Sequence, residues 1–327
     1  MVPRRLRPQR PASAGILTSG HGKTRAFSRL LLAVAVVAAG PAVGDAAAGA
    51  RDAQAPTPEI QVLDAGAAPR EVLRLAPAVG ASEQVAMTLH LGIELSGVTD
   101  RAIKSPPLRA TIAAALQDVT PTGDLHSTFS YPRFEVLKGD GASARQRREI
   151  ERALAGLSGL SGELTVTPRG ALVDSRLDTP PDLDPSVSAI LDELRDQFRD
   201  LTVPLPEPEI GVGARWRATT QLTVNGIQTR QVFEYRLKKR TGTALDLDVR
   251  GTQTAKRQTV DSPGGVTLRV KSYKTTIRGA TTVDLTRLLP VTSRVRASGD
   301  QTFAVRSRGE RGEVRQHLDI RVEVKGA

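Results

Sequence analysis

The sequence predicts an α+β protein dominated by β-structure: a curved antiparallel sheet, half-barrel-like, of about ten to twelve strands with two helices on its concave face. Three observations lead to this fold class. Long stretches alternate apolar residues with others, turn residues separate these stretches, and only two segments combine helical periodicity with a helix-start signal and no competing strand pattern. Because aromatic residues make up only 3% of the chain, aliphatic and threonine side chains must fill much of the interior, and such a sheet can leave a cavity.

The clearest strand patterns lie near the two ends of the predicted domain. Apolar residues alternate six times from Val85 to Leu95 and again from Leu318 to Val324. Between them, Asn225-Gly226 separates two alternating runs and predicts a two-residue hairpin, because a type I′ turn needs positive φ at both central positions. The second half therefore reads as an antiparallel meander. Further turns are expected at Thr241-Gly242, Asp261–Gly265 and Ser298–Asp300.

The first half combines hairpins with one ambiguous segment. Phe129 and Tyr131 alternate after the turn signal at 121–124, and Glu163–Thr167 should pair with Ala171–Leu177. The stretch Leu108–Val119 also suits a helix, but a short turn joins it directly to a strand. We therefore predict a strand there.

Two helices are expected. Ser143 with Gln146 resembles a capping box ahead of an apolar stripe that includes Ile150 and Leu154. Asp184-Pro185 supplies an N-cap and a proline at the first helical position, followed by an apolar face that ends at Phe198.

The chain divides into a leader, a linker and one domain. The apolar run 30–39 follows positive charge and precedes small residues, which predicts a signal peptide over residues 1–50, too short for a transmembrane anchor. Residues 51–70 are rich in Ala, Pro and Asp and predict a flexible, disordered linker. Residues 71–327 form a single β-rich domain. Its acidic first half gives way to a basic half from about residue 211, where 23 basic residues face 10 acidic ones.

Composition and motifs exclude most catalytic chemistry. The absence of cysteine removes disulfides, thiolate nucleophiles, Cys-ligated zinc and the lipid-bearing cysteine of a lipoprotein. There is no nucleophile elbow and no phosphate-binding glycine loop. His90 and His126 could share a metal only if their strands were neighbours. We therefore expect no enzyme activity, no cofactor and no metal.

Two sets of residues are candidates for binding. Inward side chains between the sheet and the helices would line a site for a lipid or other apolar ligand: Trp216, Phe233, Tyr235, Leu247 and Ile320. Outward basic side chains would contact an anionic surface: Lys238, Lys239, Arg240, Lys256 and Arg257. Nucleic acid is not expected, because Phe233 and Tyr235 point inward and export separates the protein from it.

Several short motifs resemble a family of exported bacterial proteins of unknown function. They comprise Thr167–Gly170, Leu205-Pro206, Ile210–Gly213 with Trp216, the Asn225-Gly226 hairpin, Val283–Leu285 and Leu289–Val291. The resemblance extends from about Glu71 to Val324 and specifies structure rather than chemistry. By analogy of fold, the expected architecture is similar to that of periplasmic lipoprotein carriers, which hold acyl chains on the concave face of such a sheet.

The sequence thus predicts an exported, non-catalytic protein of the cell envelope, in the periplasm or outside the cell. The first hypothesis is that it binds a lipid or other apolar ligand between sheet and helices. The alternative is a structural or interaction module whose basic outer face docks on an anionic envelope polymer or similar material.

Overall fold

The structure, a computed structural model, describes residues 57–97, 100–139, 143–155, 157–178, 202–224, 226–262, 266–307 and 310–326. Its strands and its helix are β1 Glu59–Asp64, β2 Ser82–Gly97, β3 Arg101–Lys104, β4 Leu108–Val119, β5 Leu125–Val136, α1 Ala144–Ala155, β6 Leu160–Val166, β7 Leu172–Asp178, β8 Arg215–Val224, β9 Ile227–Thr241, β10 Ala244–Ala255, β11 Thr259–Ser262, β12 Val266–Asp284, β13 Thr292–Ser307 and β14 Glu310–Gly326.

The described strands form one open antiparallel sheet of 14 strands in the order β1-β8-β9-β10-β12-β13-β14-β2-β4-β5-β6-β7, with β11 beside β12 and β3 beside β2. This confirms the β-dominated antiparallel fold. The strand count exceeds the expected ten to twelve because three short strands, β1, β3 and β11, were not predicted. The half-barrel curvature stays a prediction. No helix in the described ranges is long and apolar enough to span a membrane.

Local turn chemistry explains the hairpins that the sequence predicts. Val224 pairs with Ile227, so two residues connect β8 to β9, and Gly226 has the positive φ of 76° that such a turn requires. The hairpins β4–β5 and β6–β7 also form as predicted. Leu108–Val119 is a strand, because β2 and β5 pair with its two edges.

Helix α1 begins with the predicted capping box. The Ser143 N–H donates to Gln146 Oε1 at 2.8 Å, and the Gln146 N–H donates to Ser143 Oγ at 3.2 Å. Leu154 and the following Leu157 pack with Phe129 and Tyr131 of β5. Helix α1 is the one helix of the described residues. The second predicted helix, Asp184–Phe198, and the predicted signal peptide lie outside the described residues.

Two predictions are wrong. The expected turn at Ser298–Asp300 lies inside the continuous strand β13, where Gly299 pairs with Thr275 and with Leu318. A Cβ atom at Gly299 would lie 2.5 Å from Thr275 Oγ1, so this glycine permits a close approach of two strands rather than a turn. Within the predicted linker 51–70, residues 59–64 form β1, because they pair with β8 at the sheet edge.

The ladder between β14 and β2 joins two halves of the sheet. We call β2–β7 with α1 the amino-terminal half and β8–β14 the carboxyl-terminal half; the ladder runs from Val314–Gly97 to Gly326–Val85. The inner face carries three apolar clusters, one in the amino-terminal half and two that involve mainly the carboxyl-terminal half. The outer face carries most of the charged side chains of the strands, so it is the surface available to a charged partner.

Candidate functional site

Four exposed arginines lie side by side across the outer face of the carboxyl-terminal half. Arg250 of β10 pairs directly with Arg278 of β12, which pairs with Arg296 of β13, which in turn pairs with Arg321 of β14. We call these four residues the arginine row. Since neighbouring strands lie roughly 4.8 Å apart, the row spans about 14 Å perpendicular to the strands.

Carboxylates neutralise the β13–β14 end of the arginine row more than the β10–β12 end. Asp319 is hydrogen-bonded to Arg296 and lies 3.8 Å from Arg321 Nε. At the other end, Glu234 accepts hydrogen bonds from Arg217. Arg250 and Arg278 make no ion pair with any carboxylate of the described residues. Opposed like charges destabilise a sheet, so the part of the row on β10 and β12 is a site of uncompensated positive charge.

The two rows beside the arginine row differ from each other. On one side, half-buried residues with mostly hydroxyl side chains face each other across the strands: Thr219, Val232, Thr252, Thr276 and Ser298. Asp319 of β14 ends this row, opposite Ser298. On the other side, charges of both signs mix with a small residue: Arg215, Arg236, Asp248, Ala280, Arg294 and Glu323. The positive field is therefore strongest along one line, and hydrogen-bonding hydroxyls run parallel to it.

The basic residues expected to contact an anionic surface do not form one patch. Lys238 and Lys239 lie opposite the first part of β10, whereas Lys256 and Arg257 follow its last residue. At roughly 3.3 Å per residue, about 30 Å separates the two pairs. The fifth residue, Arg240, donates to Glu71 at 2.6 Å and to the Gly242 carbonyl, so a carboxylate already neutralises its charge.

Several other cations of the basic half are also neutralised. Lys271 forms a hydrogen bond with Glu313, and this bond together with the lysine charge lowers the pKa of the Glu313 carboxyl; Arg315 contributes in the same direction. Lys238 lies 3.5 Å from Asp248. The arginine row differs from these pairs because Arg250 and Arg278 have no carboxylate partner among the described residues.

Four of the five predicted interior ligand residues lie together, but they pack against each other. Trp216 is fully buried, its Nε1–H donates to the Pro204 carbonyl at 2.8 Å, and its ring stacks on Tyr235 with centroids 5.4 Å apart. Leu247 belongs to the same cluster, and Phe233 packs against its edge. Ile320 instead packs in a different cluster, on β14.

A small cavity adjoins this aromatic group. Its volume is about 40 Å³, and its walls include Phe233, Tyr235, Gln231, Pro204 and Leu172. Pockets that hold drug-sized ligands measure roughly 300–1,000 Å³. The cavity has room for water but none for an acyl chain.

A belt of polar side chains interrupts the apolar inner face between the two clusters of the carboxyl-terminal half. Its members, which we call the polar belt, are Thr229, Gln231, Gln253, Thr275, Gln301 and Gln316. Gln253 accepts a long hydrogen bond from Tyr273 and donates one to Thr229. Within the described residues, the buried amides of Gln301 and Gln316 and the Thr275 hydroxyl have no hydrogen-bond partner. The sequence pattern does not mark this belt, because alternation of apolar residues gives no sign that glutamine side chains occupy inward positions.

The three histidines of the described ranges form no joint site. His90 lies on β2 and His126 on β5, and β4 separates these strands, so the condition for a shared metal is not met. His126 Nδ1 lies 3.0 Å from Asp118, and His317 Nδ1 lies 2.8 Å from Asp300. Among the described side chains, no group of three or more metal-binding types is close enough to hold an ion.

Sequence reasoning missed the arginine row, although each member occupies an outward position of a strand. Arg250, Arg278 and Arg321 alternate with inward residues in the sequence, and this signal shows only the face of each residue. Their alignment depends on the register of three ladders.

Comparison with known proteins finds that part of the chain is similar to one protein family. No curated protein matches the chain. The model of a family of unknown function (DUF6263) matches residues 191–287, a range that includes β8 to β12. The resemblance to a family of unknown function, noted from the motifs around Trp216 and Asn225-Gly226, is thereby confirmed for this part of the chain.

Proposed function

We propose that this protein is an exported, non-catalytic binding module that docks the outer face of its carboxyl-terminal half on anionic material of the cell envelope. The observation that carries the proposal is the arginine row, in which directly opposed guanidinium groups on four adjacent strands are exposed. An anionic partner would neutralise a repulsion that the isolated sheet retains.

A requirement for solubility alone does not account for this arrangement. A soluble sheet face can mix both signs, as the neighbouring row with Asp248 and Glu323 does. Placing four like charges in register costs stability through each opposed pair. Arginine is also well suited to binding anions, because its planar guanidinium group donates two parallel hydrogen bonds to a carboxylate, sulfate or phosphate group.

The cellular location in this proposal rests on the leader. The apolar run 30–39, its basic flank and the small residues after it have the pattern of a secretory signal. Export would bring the arginine row to the anionic polymers and lipids of an envelope. The non-catalytic part of the proposal rests on the absence of a sequence motif for nucleophilic or phosphate chemistry.

The hypothesis of an apolar ligand stays a prediction, with less support. Trp216 and Leu247 are at most 1% exposed and contact other core residues, and the adjacent cavity is about 40 Å³. A ligand at this place would have to displace packed side chains, which costs free energy.

The proposal is tested by measuring binding of the purified mature chain to anionic probes over a range of ionic strengths. The probes are vesicles of phosphatidylglycerol and beads that carry polygalacturonate, with phosphatidylcholine vesicles and uncharged agarose as controls. We expect binding to an anionic probe at low salt that weakens steeply towards 0.5 M salt, because the Debye length falls from roughly 10 Å at 0.1 M to about 3 Å at 1 M. The proposal would be overturned if the protein bound neither anionic probe at low salt. It would also be overturned if added salt did not weaken the binding.

A further inference from the structure

We infer that the arginine row binds a linear, negatively charged carbohydrate polymer that lies across the strands. This inference rests on the proposed docking function and adds the chemical class and the orientation of the partner. It is carried by the one-dimensional arrangement of the charge and by the hydroxyl side chains beside it.

The arrangement of charge favours an elongated partner. The four guanidinium groups follow one line of about 14 Å, whereas a step along the strand from Arg278 reaches Thr276 on one side and Ala280 on the other. A partner with anionic groups spaced along its length can meet several arginines at once. A monomeric anion can meet only one or two, so affinity should rise with the length of the partner.

The hydroxyl side chains favour a carbohydrate. Thr252, Thr276 and Ser298 lie two residues along their strands from Arg250, Arg278 and Arg296, and therefore on the same face. Hydroxyl groups both donate and accept, which matches the hydroxyls of a sugar. A polymer of uronate or other acidic sugars would offer carboxylates to the arginines and hydroxyls to this neighbouring row.

The same face lacks the features that other polyanions use. Every aromatic side chain of the described residues occupies an inward position, so the row offers no ring on which a nucleic-acid base could stack. The large apolar residues that are exposed, such as Val72 and Val212, lie outside β9 to β14, so no such side chain beside the row would insert into a lipid surface.

The experiment compares two double variants of the mature chain that lose the same charge. Arg250→Gln with Arg278→Gln removes the two row members that lack a carboxylate partner, and Lys256→Gln with Arg257→Gln removes two exposed charges just past the end of β10. Binding is measured with galacturonate, with galacturonate oligomers of increasing length and with polygalacturonate. Thermal unfolding of each variant checks that the fold is kept.

We expect the wild-type affinity to increase with oligomer length. The row variant should lose roughly 10- to 100-fold in affinity for the polymer, since it removes two solvent-exposed charge-assisted contacts, and the control should change little. Equal losses in both variants would overturn the inference about the row but leave the docking function standing. Binding to phosphatidylglycerol vesicles or to an oligonucleotide without binding to the polymer would overturn the carbohydrate class. Absence of binding to every anionic probe would instead reject the proposed function itself.

Discussion

The two halves of the sheet share one alternating pattern but present different outer faces. In the amino-terminal half, small side chains such as Ala113, Ala115, Ser130 and Ser161 occupy outward positions and line an open groove of about 480 Å³. In the carboxyl-terminal half, outward positions of β10, β12, β13 and β14 carry the arginine row. Outward residues are only weakly constrained by folding, so this difference indicates different surface roles rather than different ways of building a sheet.

The inner faces differ as well. The amino-terminal half packs one apolar cluster, to which α1 contributes Leu154, and its buried Ser127 hydroxyl donates to the Leu164 carbonyl at 3.1 Å. The carboxyl-terminal half contains the polar belt, with two buried amides that have no partner in the described residues. The carboxyl-terminal half, whose outer face carries the arginine row, therefore also has the more polar interior.

Substitutions in the two apolar cores should change the free energy of unfolding most. They also test whether the two halves of the sheet unfold together. Trp216→Ala and Leu116→Ala each remove a side chain that is at most 1% exposed, one in each half. We expect losses of about 3–5 and 2–5 kcal/mol in the free energy of unfolding, respectively. In chemical denaturation, each variant should show one transition at a lower midpoint, because the β14–β2 ladder makes the sheet continuous. Two separate transitions would divide the sheet into independent units.

A smaller effect should follow from cutting a contact between the halves. Glu83 of β2 accepts hydrogen bonds from Arg287 Nε at 2.7 Å and from the N–H groups of Leu288 and Leu289, in the loop between β12 and β13. Its side chain is 12% exposed. Glu83→Ala should lower the free energy of unfolding by about 2–3 kcal/mol, because it leaves these donors without an acceptor. Glu94→Ala, at an exposed position of the same strand, is the control, and equal stability of the two variants would show that the contact is unimportant.

The polar belt should give a change of opposite sign. Gln301 and Gln316 face each other on β13 and β14 and are at most 2% exposed. Replacing both with Leu should raise the free energy of unfolding by about 1–3 kcal/mol. The substitution removes two buried amides whose desolvation is not offset by hydrogen bonds. Ser127→Ala should be destabilising, because that hydroxyl has a partner. A destabilised double variant would indicate that the amides are bridged by ordered water, which its crystal structure should reveal.

The smallest effect concerns the outer face. Arg278 lies between Arg250 and Arg296, so Arg278→Gln should raise the free energy of unfolding by about 0.2–1 kcal/mol at low salt. The gain should shrink as salt screens the charges. Arg306→Gln on the same strand as Arg296, opposite Thr267 and Arg311, provides a second opposed pair for comparison. A loss of stability in Arg278→Gln would mean that the row is not repulsive in the free protein.

Signals from residues close in sequence are sufficient to predict single strands, hairpins and helix starts. The alternation around Val85–Leu95, the Asn225-Gly226 hairpin and the Ser143–Gln146 capping box each depend on residues close in sequence, and each is confirmed. The turn expected at Ser298–Asp300 failed because glycine permits either a turn or a close strand contact, and Thr275, far along the chain, decides between them.

The sequence by itself determined the class of fold, the hairpins and the face on which each arginine lies, because side chains of a strand alternate with a period of two. Only the tertiary structure decided that β14 pairs with β2, that β1 adds an edge, and that four arginines share one line. These features depend on the register between strands, and a shift of one residue would move a whole strand's arginines to the other face. Register is set by the packing of distant inward residues against each other, which the local sequence does not specify.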